Sequence, residues 1–167
     1  MTALIVLLRL VHILSGIFWL GGTLTAAAFI FPTAKKVGPD SARFVQSLMV
    51  ESRFPLALAI TGWATTLAGL ILFFFASGRF AHSWMGSGQG IALSVGALFG
   101  ILAAFHGGLV QGRGAARLAA LAAQTGPPTP ERIAEMQTVR DKLAKGAVAS
   151  AGMLTVAAAA MAIARYI

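Results

Sequence analysis

Arg9 and His12 stand one helical turn apart in a run from residue 4 to residue 31 that holds no other ionisable side chain. An arginine at the centre of a membrane helix costs about 2.5–3.5 kcal/mol on insertion scales, so a chain that keeps one there commonly has a partner or ligand for it. A neutral imidazole can bind a metal through one ring nitrogen, and His12 and Arg9 share a helix face. Haem held inside a helical bundle uses imidazoles from facing helices, with small residues beside the porphyrin and basic side chains near its propionates. His12, with Gly16 one turn below and Arg9 one turn above, fits that pattern, and Trp19 continues the same face. The alternatives are a hydrogen bond from His12 to a hydroxyl on a neighbouring helix with Arg9 snorkelling outward, copper binding, or a proton relay.

The second ligand is open at this level. If the first helix descends from the outer surface, His12 lies roughly 12–15 Å below its start, at 1.5 Å per residue. His106 comes late in a third helix that also descends, roughly 22–30 Å below its own start by the same rise. The depth difference is then roughly 7–18 Å, so His12 and His106 share one iron only at the low end; otherwise they serve separate sites. His82 falls on the outer side before the third helix and reads as a solvated loop residue unless the loop folds toward His12. A copper site would enlist thioethers. Met49, Met85, Met136, Met153 and Met161 are scattered, without Met-x-x-Met or His-x-His spacing. The acidic residues Asp40, Glu51, Glu131, Glu135 and Asp141 all fall between spans, which leaves carboxylate-based proton coupling without support. No nucleotide-binding loop, nucleophile elbow or zinc-protease motif is present.

The elements that must position these residues follow from composition. Of 167 residues 57% are hydrophobic and only 11% charged, with mean hydropathy +0.81; soluble domains carry about 25% charged residues, so this is an integral membrane chain. Four apolar stretches, at about 4–31, 54–76, 90–110 and 146–167, approach or exceed the ~20 residues that cross a bilayer. They predict a single all-α domain over 1–167, a four-transmembrane-helix bundle with short cytoplasmic helical extensions. Strand periodicity is absent, which argues against a barrel. The first span is too long for a signal peptide's apolar core and is expected to be retained. There is no cysteine, which excludes disulfides, thiolate sites and c-type haem attachment.

The net charge of +8 is unevenly placed. Lys35, Lys36, Arg43 and Arg53 follow the first span, and Arg113, Arg117, Arg132, Arg140, Lys142 and Lys145 lie between the third and fourth. Positive charge on the cytoplasmic side puts both termini outside. Topology and anionic-lipid contact account for the basic excess, and no nucleic-acid partner is implied.

Breakers and caps subdivide the chain. Pro32 is expected to end the first helix. Gly38-Pro39-Asp40 marks a turn, after which Asp40 or Ser41 would cap a short amphipathic segment with Phe44, Val45, Leu48 and Met49 on one face. Pro55 fits the first turn of the second helix, and Ser77-Gly78 closes it. The third helix is expected to run on past the membrane through 113–123. Gly126-Pro127-Pro128-Thr129-Pro130 is the strongest breaker, with Thr129 as N-cap and Pro130 at the first position of a charged helix. That helix should continue through Lys145 into the fourth span, closing a cytoplasmic hairpin over about 112–145. In the first span Arg9, His12, Gly16, Trp19, Thr23 and Ala26 form a polar or small stripe, which in a membrane marks the bundle interior. Thr61, Thr65 and Gly69 do the same in the second span. Gly96, Gly100, Ala104 and Gly108 do so in the third, beside Phe99, Ala103 and His106, while Ser150 and Thr155 are the main hydroxyls of the fourth. Such ladders imply close helix packing and name no ligand.

His12-x6-Trp19-x-Gly21-Gly22, followed by Phe31-Pro32 and a basic loop, resembles the start of the copper-resistance D-type membrane proteins and related uncharacterised four-helix families. The ending Met161-Ala162-x-Ala164-Arg165-Tyr166 is similar to the uncharacterised branch. A more distant similarity is to the non-flavin membrane protoporphyrinogen oxidases, which share a His-x6-Trp first helix and a histidine near the end of the third, where Phe105-His106 stands here. That resemblance implies haem b, with His12 and His106 as ligands, in a bacterial inner (plasma) membrane. The family's lysine near the start of the third helix is missing, Gln89 being the long polar side chain there. Its Asn-Glu-x-x-Pro signature before the last helix is also absent, which speaks against protoporphyrinogen oxidation and leaves a shared haem scaffold.

The leading expectation is thus a b-type haem membrane protein with a redox or electron-transfer role and His12 as an axial ligand. The alternatives are copper handling and a non-catalytic membrane subunit whose helices 113–123 and 131–145 dock a partner. The expected partners are the lipid bilayer and either a second copy of the chain or a membrane complex.

Overall fold

A computed structural model describes residues 2–167, Pro39 by its backbone alone. Among them four helices are each long and apolar enough to cross a membrane: α1 (Thr2–Val37), α2 (Phe54–Ala76), α3 (Gly88–Ala122) and α4 (Pro130–Tyr166). No strand occurs among the described residues, and the chain is an all-α multi-pass membrane bundle. Leu7, Leu10, Leu14, Ile17 and Phe18 are exposed on α1, as a lipid-facing stripe requires.

The helices pair as two antiparallel hairpins, α1 with α2 and α3 with α4, and the hairpins touch less extensively through α2–α3 and α1–α4. Within the first hairpin large side chains enter the gaps left by glycines. A Cβ added at Gly69 would lie 2.7 Å from His12 Cε1, one at Gly62 2.9 Å from the Trp19 ring, and one at Gly22 2.8 Å from Leu58 Cδ2. His12 and Trp19 are seven residues apart, as are Gly62 and Gly69, so two successive layers repeat with the heptad spacing of facing helices. In the second hairpin a Cβ at Gly96 would meet Met161 at 2.8 Å and one at Gly114 would meet Leu143 at 2.6 Å. From Gly96 to Gly114 that register runs for about 27 Å.

Pro32 does not end the first helix, contrary to the sequence expectation: α1 continues to Val37. A π-helical turn at Ala26–Ile30 precedes the proline and widens the backbone where Pro32 cannot donate its hydrogen bond. Another π-helical turn, Gly107–Gly112, lets α3 run on beyond its apolar part. Ser41 occupies the cap position of the short helix Ala42–Gln46 without capping it. Its hydroxyl instead donates to the carbonyls of Ala34 and Gly38, each at 2.7 Å, and so ties down the end of α1. In the following segment Val45 and Met49 are buried while Phe44 is 58% exposed, so only part of the expected apolar face is used. Val45 and Met49 join Ala26, Phe31, Leu118, Leu143 and Ala147 in the main buried cluster, which therefore lies toward the end of the bundle that bears the basic loops.

Thr129 caps α4 as expected, its hydroxyl oxygen accepting the Arg132 N–H at 3.3 Å, with Pro130 in the first turn. At the opposite end Ser77 is fully buried. It accepts the Phe80 N–H at 2.9 Å and donates to the Phe74 carbonyl. These bonds hold a turn in which Arg79 and Phe80 both have positive φ, 63° and 66°, a conformation non-glycine residues adopt only when their surroundings impose it.

Candidate functional site

Because the two hairpins meet loosely, a cavity of about 860 Å³ opens between them toward the end that carries the chain termini, and all four helices line it. That is near the top of the roughly 300–1,000 Å³ range of small-molecule and cofactor sites. Its walls are apolar except for a short polar strip that includes Arg9, His12, Thr65 and Thr66.

His12 Nδ1 lies 2.8 Å from the backbone carbonyl oxygen of Thr65 on α2. A carbonyl oxygen can only accept, so Nδ1 donates and, in the neutral ring, the lone pair resides on Nε2. That nitrogen has no hydrogen-bond partner among the described residues. Gly69 creates the contact: it sits one turn beyond Thr65, and its missing side chain leaves the helix surface bare where the imidazole lies. The Thr65 hydroxyl is 2.8 Å from Ser15 Oγ, and Ser15 also donates to the Val11 carbonyl. His12 therefore bonds a carbonyl where a hydroxyl had been one of the expected partners. An Nδ1–H fixed on a backbone carbonyl is how proteins orient metal-binding imidazoles and raise their basicity.

Arg9 lines the same cavity. The ion pair formed among the described residues is Arg117–Glu135, far from it, so Arg9 faces the cavity without an acidic partner. Gly16 packs on Thr65, and a Cβ at this position would stand 3.5 Å from the Thr65 methyl group. Trp19 is buried with Ala103, Ala104 and Leu154 and closes the floor.

Beneath Trp19, which lines both spaces, lies a second cavity of about 140 Å³ toward the basic loops. Ser150 borders it, and His106 Nδ1 is 2.9 Å from Ser150 Oγ. Gln111 also borders it and donates to the Leu143 carbonyl at 3.0 Å. His106 is not among the residues lining the upper cavity. It is ten residues below Gly96 on α3, about 15 Å along the axis. The structure thus brings Arg9, His12, Gly16 and Trp19 to one site and leaves His106 outside it, engaged with Ser150 and lining neither cavity. His82 is exposed in the short helix His82–Met85 and is not part of the cavity wall. No group of three or more His, Asp or Glu side chains gathers among the described residues.

The third-helix ladder does two jobs. Gly96 packs tightly against α4, whereas a Cβ at Gly100 or Gly108 would meet nothing within 4 Å; Gly100 lines the upper cavity and Gly108 the lower. Thr65, Gly69 and Met161 also belong to the upper site. The Thr61, Thr65 and Gly69 stripe pointed to the first two, but nothing in the sequence alone placed Met161 on the same cavity.

The fold and site define a four-helix membrane bundle with a histidine-bearing cavity between its two hairpins. No protein-family model, curated protein or solved structure matches the chain.

Proposed function

We propose that the chain is a b-type haem membrane protein with an electron-transfer or other redox role and that His12 is an axial ligand. The observation that carries this reading is His12 itself, with Nδ1 tied to the Thr65 carbonyl and Nε2 free beside a cavity of about 860 Å³. The residues fit the group in three respects. The imidazole tautomer leaves a lone pair for iron. Gly100, where a Cβ would meet nothing within 4 Å, keeps the wall low for a flat macrocycle. Arg9, one turn nearer the end of the bundle, supplies an unpaired cation for a propionate. Bound haem would supply a one-electron couple, iron(III)/iron(II). The chain's own residues orient the ligand, exclude water with apolar walls and hold a cation near the opening.

In this reading the basic loops face the cytoplasm of a bacterial cell and both termini face outward across its plasma membrane, as the distribution of Lys and Arg favours. Protein purified from haem-replete cells should show a Soret band and a reduced-minus-oxidised α-band, and His12→Ala should lose them. A colourless wild-type preparation would overturn the proposal. His12 and Met161 on one cavity are also a donor pair suited to copper. Stoichiometric copper by elemental analysis, without a Soret band, would favour that second reading.

A further inference from the structure

The layers of the bundle place one more donor opposite His12. Trp19 is packed with Ala103 of α3 and Leu154 of α4 and against Gly62 of α2. Moving seven residues toward the terminal end on each helix leads from Trp19 to His12, from Gly62 to Gly69, from Ala103 to Gly96 and from Leu154 to Met161. Two of those steps are direct contacts, His12 against Gly69 and Met161 against Gly96. His12 and Met161 therefore lie in the same layer, one anchored in each hairpin, and both line the cavity between the hairpins.

The geometry points to Met161 as the second axial ligand, its thioether opposing the His12 imidazole across the macrocycle; this rests on the haem reading above. Methionine has three rotatable bonds and a soft sulfur, so its thioether can turn from Gly96 into the cavity without moving the backbone. His106, the ligand suggested by sequence resemblance, is about 15 Å deeper than this layer and is engaged with Ser150. A single ion held by these two donors would leave most of the cavity of about 860 Å³ unfilled, whereas a macrocycle between them occupies it. Thioether ligation favours iron(II), so a His/Met site has a higher reduction potential than a bis-histidine one.

The test uses the full chain purified in detergent from haem-replete cells, as wild type, Met161→Leu, Met161→His and Met153→Leu. Leu for Met conserves volume and is well tolerated in packed interiors, and Met153 is absent from the cavity wall. In the oxidised wild type a weak far-red charge-transfer band, characteristic of sulfur on iron(III), is expected. Met161→Leu should retain the Soret band but lose the far-red band and shift the midpoint potential downward. Met161→His should also shift it downward and give a bis-imidazole spectrum, and Met153→Leu should match wild type. A Soret band and potential indifferent to Met161→Leu would overturn the Met161 assignment and leave the haem reading standing. A wild type without haem would overturn both.

Discussion

An imidazole reaching for a helix carbonyl needs a stretch of that helix left bare, and Gly69 provides it for His12. A Cβ there would stand 2.7 Å from Cε1 and 2.9 Å from Nδ1 of the ring, closer than such atoms pack, so the ring would have to leave the Thr65 carbonyl. On the proposed haem reading, Gly69→Ala should therefore reduce haem retained per protein severalfold, read as the Soret-to-protein absorbance ratio. Gly21→Ala is the matched change, since a Cβ at Gly21 meets nothing within 4 Å, and it should leave the ratio unchanged. Equal ratios in the two variants would refute the cradle. Replacing a helical glycine by alanine is by itself worth about 1 kcal/mol in favour of the helix. A loss confined to position 69 would thus report the contact and not the backbone. His12, Arg9, Gly16 and Trp19 were legible as one face because the helical period alone puts them there. Thr65 as the partner was not, because the choice between a hydroxyl and a carbonyl depends on what the opposite helix leaves uncovered.

At the scale of elements, local signals were readable to within a few residues except where two of them competed. Thr129 and Pro130 start α4 as the sequence predicts, and Thr129→Ala should cost about 1 kcal/mol, the usual loss for a capping hydroxyl. Faster amide hydrogen exchange in the first turn of α4, restored by Thr129→Asp, would check this. Glu131 stands in that turn, where its own backbone N–H and the Thr129 hydroxyl hold its carboxyl below the usual carboxylate range. A depressed acid contributes stability above its unfolded-state pKa and loses it as pH falls through the folded value. Protection of the turn should therefore decline on acidification, with less decline in Thr129→Ala; an identical pH profile would refute the link. Pro32 was misleading because a proline normally stops a helix, and the π-helical turn at Ala26–Ile30 instead carries the chain past it. Ser41 was legible as a polar residue at a helix start, but its hydroxyl finds the nearby carbonyls of Ala34 and Gly38 and so closes the preceding helix.

Across the whole molecule, the uneven distribution of 13 Lys and Arg residues sets the expected orientation, and the absence of cysteine makes it directly measurable. In intact spheroplasts Ser83→Cys should react with a membrane-impermeant maleimide, while Gln124→Cys should react only after permeabilisation. The opposite pattern would invert the topology. The sequence by itself determined the membrane class, the four spans, the N-cap of α4 and the charge asymmetry. Those depend on composition and on neighbours within a few residues. Only the tertiary structure decided that the helices pair as two tight hairpins, that Trp19 divides the interior into two cavities, and that His106 and Met161 fall on opposite sides of that division. Those outcomes depend on interhelical register, which is fixed where His12, Trp19, Leu58, Leu143 and Met161 enter the spaces left by glycines on facing helices. No periodicity within one helix specifies which glycine on another it will meet.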